Sequence, residues 1–320
     1  MAALTSIDEA RLRGLIGHYG VGELHRFWPA SEGIENSNYF VEVQRDGLIR
    51  SYVLTILEKA PHGGDLLVPL LDRLARAGLP VAPVRRNLEG QAYVEVAGKP
   101  AILSPRLPGR HLINPSLHHC ESVGRLLGRL HLAARPLLPQ APAHPRDSSW
   151  LGWQGRVARG RLGFGDTAIL DFAVRASRSL LSRRDVRRLP RGIIHGDLFR
   201  DNVLFTGQAL SGVVDFHHAA AGYWLFDIAV AINDWCTEAS GRLDPDRTWQ
   251  LLRAYNSVRA LSAQELWFLP AFGCYAAACF WLSRLNGPTE GRRKDPEEFQ
   301  RITQQHLAHA FYGDQRLLQA

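Results

Sequence analysis

The chain has 320 residues, 46% of them hydrophobic and 22% charged, with a formal net charge of +7. This length holds one or two domains with a sizeable core, and the composition excludes a disordered or fibrous chain. Lysine occurs only at Lys59, Lys99 and Lys294, so the basic excess is arginine; its densest run, SRRDVRRLPR (182–191), lacks interleaved aromatic residues and reads as a solvated helix end rather than a nucleic-acid patch.

The opening MAALTSIDEARLRG has no apolar signal-peptide core, so a cytoplasmic location is expected. NYFVEV (38–43) and SYVLTILE (51–58) alternate or run apolar and predict two strands with a turn in QRDGLIR. GGDLLVPLLDRLARAGLP has helical leucine spacing and a stop at Gly78. Residues 84–107 predict two or three short strands broken at LEG and AGK. After LPGRH (107–111) the character turns helical, which divides the chain into 1–106 and 107–320. SLHHCESVGRLLGRLHLAARPL (116–137) is an amphipathic helix, 138–165 reads as Pro-, Gly- and Trp-rich loop, and 168–186 as helix. GIIHGD and NVLF…SGVVDF predict short strands with a turn at TGQ, and helix dominates from YWLFDIAVAINDWC onward. WFLPAFGCYAAACFWL (267–282) is short for a membrane span and reads as a buried helix. Cys120, Cys236, Cys274 and Cys279 form no C-x-x-C pair and read as reduced thiols.

In HGDLFRDN, His195 and Asp197 are followed by Asn202 five residues after the aspartate, and Asp215 ends an apolar strand at VVDFHH. This is the H-x-D-x-x-x-x-N…D-F spacing of phosphoryl-transferring kinases of the protein-kinase type. A carboxylate must orient an acceptor hydroxyl and take its proton, the role of Asp197. Two hard oxygen ligands must hold Mg²⁺ against the phosphates, the roles of Asn202 and Asp215. The bland reading, a turn at Asp201–Asn202 and a strand cap at Asp215, loses ground because all three residues are in register. His195 is expected to hold the loop by hydrogen bonds rather than act as base. His217 and His218 flank Asp215 without the ligand count of a zinc site. His131 is expected to pack in the C-terminal part.

These stretches, with GIENSNYFV (33–41), YVLTILE (52–58), LLDRLARAGLPVAPV (70–84) and FDIAVAINDWC (226–236), resemble the type II homoserine kinases of the aminoglycoside phosphotransferase and choline kinase superfamily. The resemblance spans most of the chain. It implies an α+β, two-lobed protein-kinase-like fold. A small strand-rich nucleotide-binding lobe (1–106) and a larger, mainly helical catalytic and substrate-binding lobe (107–320) are expected. It further implies ATP with Mg²⁺ and L-homoserine as phosphoryl acceptor, in threonine biosynthesis.

No G-x-x-x-x-G-K-[ST] or G-x-G-x-x-G is present. EGIENSNYF stands where a phosphate-covering loop belongs, with Asn36, Ser37 and Asn38 as donors to phosphate oxygens; a plain hairpin turn is the alternative. The position matching the phosphate-binding lysine is Thr55, which carries no cation; Arg50 and Lys59 are the nearest bases, and Asp65 is a candidate partner acid. Ser104, Arg106 and Leu107, in the extended AILSPRLPG, are placed to meet the adenine edge through their backbone. Asp227, among apolar residues, must be paired and is expected to brace the catalytic loop. Asp234 lies on the same helical face, and with Asn233 it either reaches the substrate or is a second brace.

The alternatives are a superfamily kinase for an aminoglycoside, choline or methylthioribose; a non-catalytic nucleotide-binding regulator, given the missing lysine; and a metal hydrolase using His195, Asp197, Asp215 and His217. No membrane or nucleic-acid partner is expected.

Overall fold

The computed structural model describes residues 4–30, 36–59, 66–287 and 295–312. The chain divides into two compact units, Met1–Pro108 with Gly212–His217, and Gly109–Ser211 with His218–Ala320.

The first unit is built on a five-stranded antiparallel sheet of order β1-β2-β3-β5-β4. Its strands are β1 (Glu23–Pro29), β2 (Ser37–Arg45), β3 (Leu48–Ile56), β4 (Val94–Val96) and β5 (Lys99–Pro105), with helices α1 (Glu9–Tyr19) and α2 (Leu67–Arg76). Asp46–Gly47 joins β2 to β3 and Ala97–Gly98 joins β4 to β5, all four residues at positive φ. Two-residue turns of this kind match the twist of paired strands, which is why β3 starts at Leu48, earlier than its hydrophobic run suggests.

Alternation gives the sheet two unlike faces. Tyr39, Val41, Val43, Leu54, Ile56 and Leu103 are buried with Leu12 and Ile16 of α1. Asn38, Phe40, Thr55 and Ser104 lie on the other, half-buried face. On the α1 side the Thr5 N–H donates to Ser37 Oγ at 2.8 Å, and Ser37 Oγ donates to Glu58. The Lys99 ammonium pairs with Glu58 and donates to Thr5 Oγ1 at 2.7 Å. The detached segment joins through Val213, whose N–H donates to Pro80 O at 2.8 Å beside a parallel bridge to Val81.

The second unit is mainly helical. It contains α3 (Leu117–Ala134), α4 (Ser148–Ala158), α5 (Phe164–Ser182), α6 (Trp224–Trp235), α7 (Pro245–Val258), α8 (Ala263–Asn286) and α9 (Pro296–Tyr312). Two short ladders interrupt them: β6 (Arg191–Ile194) with β9 (Ala220–Tyr223), and β7 (Val203–Thr206) with β8 (Ala209–Val213), the last two residues of which count with the first unit. Helices α3 and α7 touch through Gly124, where a Cβ would stand 2.2 Å from Leu251 O. The 138–165 stretch, expected as loop, contains α4. Asp147 caps it by accepting the Trp150 N–H at 2.8 Å, and Leu151 is fully buried. Its glycines, poor helix formers, lie against Arg178 and Val174 of α5 and hide the helical pattern. Helix α8 is apolar and long enough to cross a membrane, yet most of it is buried against its neighbours. All four cysteines are buried free thiols.

Candidate active site

Strand β6 ends at Ile194, and the next residues turn away from the ladder because one carboxylate gathers their amides. Asp227, in the first turn of α6 and fully buried, accepts the His195 N–H at 2.7 Å and the Gly196 N–H at 2.8 Å. Gly196 sits at φ +77°, where a Cβ would also press on His218 O at 3.0 Å, so glycine is required. The Trp235 indole N–H donates to Leu198 O at 3.0 Å from the far end of the same helix.

Behind Asp227 runs a buried relay. The Arg259 Nε–H donates to Tyr255 Oη at 2.9 Å, and Tyr255 Oη lies 2.8 Å from His131 Nδ1. His131 Nε2 lies 3.1 Å from Asp227 Oδ2. Since arginine only donates, the Tyr255 hydroxyl proton goes to Nδ1, and the His131 proton stands on Nε2, donated to Asp227. Burial pushes the His131 pKa down and outweighs the carboxylate beside it. Burial also works against ionised Asp227, but the hydrogen bonds from His131 and from the His195 backbone N–H hold its pKa below the usual range. The pair is therefore neutral imidazole and carboxylate.

Asn202 closes a short 3₁₀ turn (Arg200–Asn202) and is nearly buried. Its amide nitrogen donates to Asp197 O at 2.8 Å and to Asp197 Oδ2 at 3.0 Å. Those bonds fix the amide and leave its oxygen as an acceptor, the donor type a hard divalent cation takes. Asp215 belongs to the first unit, is exposed, and stands at φ +61°, a rare conformation for a side chain other than glycine. Among the described residues no three of His, Cys, Asp and Glu gather as metal ligands, so His217 and His218 complete no zinc-type cluster.

Asp234 and Asn233 part company. Asn233 is 1% exposed, and its amide donates to Gly273 O at 2.9 Å while its oxygen meets His306 Nε2 at 2.8 Å. Both ends are tied to α8 and α9, which corrects the expectation that Asn233 reaches a substrate. Asp234 accepts the Arg200 backbone N–H at 2.6 Å and the Arg200 Nε–H at 3.2 Å. Burial raises its pKa despite the guanidinium. Arg200 also donates to Ile113 O at 2.6 Å. Arg200 and Asp234 line a cleft of about 890 Å³ within the second unit, together with Asp244, Arg247, Glu298 and Arg301. Sequence reasoning passes over Arg200; the available signal is a basic residue inside the HGDLFRDN motif.

The candidates in the first unit also divide. Thr55 Oγ1 donates to Asn38 Oδ1 at 2.7 Å across β2 and β3, on the half-buried face. Asn36 Oδ1 accepts the Glu58 N–H at 3.2 Å. The Ser37 side chain, fully buried on the α1 face, serves Thr5 and Glu58, which corrects its assignment as a phosphate donor. Ser104 is opposite Val53 in the β3–β5 ladder. The Arg106 N–H donates to Ser51 O at 3.0 Å, so it is not available to adenine, and its guanidinium stacks 4.1 Å from the Phe40 ring centroid. Leu107 follows in extended chain and is half-buried. Lys59 and Arg50 are exposed, and Lys99 is held by Glu58 on the α1 face. Gly33, Glu35 and Asp65 lie outside the described residues.

Comparison with known proteins follows the same lines. A family model described as "Phosphotransferase enzyme family" matches residues 27–261. A homoserine kinase of Pseudomonas aeruginosa strain UCBPP-PA14 is 40% identical over 89% of this chain and 88% of its own length. A homoserine kinase of Methylobacillus flagellatus is 37% identical over 96% of both chains. The crystal structure of a spectinomycin phosphotransferase in complex with ADP and spectinomycin superposes with a TM-score of 0.67 at 14% identity, covering 94% of this chain and 95% of that one. The fold is thus the two-lobed, kinase-type α+β fold that the family resemblance implies. With a matching family model over most of its length and homoserine kinases as relatives from end to end, the chain belongs to the phosphotransferase enzyme family and, within it, to the homoserine kinases.

Proposed function

We propose that the protein transfers the γ-phosphoryl group of ATP to the side-chain hydroxyl of L-homoserine, giving O-phospho-L-homoserine and ADP. The observation that carries the chemistry is the double hydrogen bond from the Asn202 amide to Asp197. It fixes a carboxylate on a loop whose amides are themselves held by Asp227. Asp197 orients the acceptor hydroxyl and takes its proton as the new O–P bond forms and the bond to the β-phosphate bridging oxygen breaks. Such catalysis is mostly positioning, and a carboxylate bonded by Asn202 on a loop braced by Asp227 suits it. Homoserine as acceptor is supported by the names of the two relatives, and the nucleotide by the ADP complex of the spectinomycin phosphotransferase.

Asn202 and Asp215 are the proposed oxygen ligands of Mg²⁺, which when bound neutralises phosphate charge. Asn36, Asn38 and Thr55 are the proposed phosphate-side polar groups, and the backbone of Ser104 and Leu107, without the Arg106 N–H, the adenine-side one. His195 supports the loop through its backbone N–H, and Asp227 braces it. Asp234 and Arg200 offer the opposite charges that a zwitterionic amino acid requires.

One observation favours a second acceptor class. Glu238, Asp244, Asp246, Asp295 and Glu298 also line the cleft, an acidic rim that suits a polycationic amino sugar. Measuring ATP consumption with homoserine, choline, methylthioribose and kanamycin decides. Turnover with homoserine alone is expected; turnover with kanamycin or choline in its place would overturn the assignment.

A further inference from the structure

A second cavity, of about 520 Å³, opens in the second unit beside the start of β6. Three arginines, Arg135, Arg191 and Arg259, share its lining with Leu132, Leu138 and Trp224. No acidic residue is among its described lining residues. Arg259 is neutralised from behind by Glu265, a pair with side chains only 9% and 2% exposed. Arg135 follows α3 and its backbone N–H donates to Leu132 O; its guanidinium has no ion-pair or hydrogen-bond partner among the described residues. The Arg191 guanidinium lies over the Tyr223 ring, 4.6 Å from its centroid. Two positively charged side chains, both exposed, therefore border a space whose remaining lining is largely apolar.

We propose that this cavity binds a small organic anion, a carboxylate on a compact apolar body, and that the bound anion slows phosphoryl transfer. The arginine fork matches a planar carboxylate in bidentate fashion, and Leu132, Leu138 and Trp224 suit a branched hydrocarbon. An ammonium group finds no partner, because Glu265 is engaged by Arg259 and by the Ser262 N–H and hydroxyl. The ligand is thus a simple acid rather than a zwitterionic amino acid. The volume lies within the range of small-molecule sites.

The cavity wall is also the outer end of the relay behind the catalytic loop. Arg259 stacks 4.7 Å from the Trp224 ring, and Trp224 is stacked flat on His131, 8° from parallel. Arg259 further bonds Tyr255, Tyr255 bonds His131, and His131 bonds the carboxylate that gathers the His195 and Gly196 amides. A carboxylate drawing on Arg259 pulls the guanidinium from Tyr255 and slackens that chain at its first bond.

Calorimetry on the intact protein with 4-methyl-2-oxopentanoate reads binding directly, without dependence on the acceptor assignment. Leucine, the same skeleton with an ammonium group, and inorganic phosphate are the comparison probes. The oxo acid should bind with a Kd on the order of 1 mM or tighter. Leucine and phosphate should bind at least about tenfold more weakly. Saturating oxo acid should lower kcat by about fivefold, at the lower end of typical coupling between sites. Arg135→Gln with Arg191→Gln should abolish the binding heat and the inhibition while leaving basal turnover and the melting temperature unchanged. Equal binding of phosphate would reduce the cavity to an ordinary basic patch and overturn the proposal. So would inhibition that survives in the double variant, since the acid would then act elsewhere, or the absence of both heat and inhibition.

Discussion

The Asp227 carboxylate and the Gly196 amide, 31 residues apart in sequence, meet at 2.8 Å, and this bond sets where the loop carrying Asp197 leaves β6. A second amide, from His195, takes the other carboxylate oxygen. In Asp227→Asn one end of the side chain turns an NH₂ toward a backbone N–H. The variant should lose about 2–4 kcal/mol of stability, as expected when a buried charge-assisted network loses a member. Chemical denaturation measures this, and a loss below about 0.5 kcal/mol would show that the loop is held by other means.

His131 is held neutral by burial. The unfolded chain takes up a proton at this residue near pH 6.5, while the folded chain resists. Its contribution to stability is therefore complete above that pH and is lost as pH falls below it, by at most about 1.4 kcal/mol per pH unit. Asp227, with its pKa depressed, adds a loss of the same sign in a lower window, below the ordinary carboxylate value. The difference in unfolding free energy between the parent and His131→Gln, followed from pH 8 to pH 5, should shrink as pH falls. A difference independent of pH would mean that the imidazole titrates as freely in the fold as out of it.

Asp197→Asn should lower kcat by about 10²–10⁴ with the KM for ATP and the melting temperature little changed. The substitution keeps the shape that meets the Asn202 amide but removes the proton acceptor. Near-parental turnover would remove Asp197 from the mechanism.

For the cation, Asp215→Ala should abolish Mg²⁺-dependent ATP binding, and Asn202→Ala should weaken it less, since an amide brings no charge to the metal. Asn202→Ala should also lower kcat at saturating Mg²⁺, because Asp197 loses its clamp. Titration of nucleotide binding against Mg²⁺ separates the two effects; parental metal dependence in both variants would move the cation elsewhere.

Asp234→Asn tests the acceptor site. Loss of a hydrogen bond to a charged group, about 1.5–3 kcal/mol, corresponds to a rise of about tenfold or more in the KM for homoserine, with ATP nearly unaffected. Asp234 also anchors Arg200 by its backbone and side chain, so a brace role predicts a different split. A large drop in melting temperature with an unchanged homoserine KM would assign Asp234 to the fold, leaving Arg200 to be placed by other partners.

Where chemistry and periodicity coincide, the sequence is legible. The Asp197–Asn202 spacing reads directly because a 3₁₀ turn brings the two side chains together over five residues. Asp227 stands out because no isolated charge survives in so apolar a segment. What cannot be read is which way a polar side chain faces across a strand end or a helix. Ser37 and Asn38 are neighbours, yet one is fully buried on the α1 face and the other half-buried on the opposite face, and nothing local fixes that parity. Asn233 and Asp234 diverge for the same reason on a helix buried throughout its length. Helix α1 is missed although Leu12, Ile16 and Tyr19 fall at helical spacing, because its other positions mix charge and glycine.

The first unit is assembled from two separate stretches of chain, since Gly212–His217 docks beside Pro80 and Val81. On the ribosome the residues up to Pro108 are made first and wait for that docking segment. At about 5–20 residues per second the wait lasts for several seconds of synthesis. During it, Pro80 O and the edge near Val81 must be served by water. A truncated product ending at Pro108 keeps those groups without their native partner for good. Protein made from such a fragment should be less soluble than the full chain, and supplying residues 212–217 as a separate peptide should recover part of the loss.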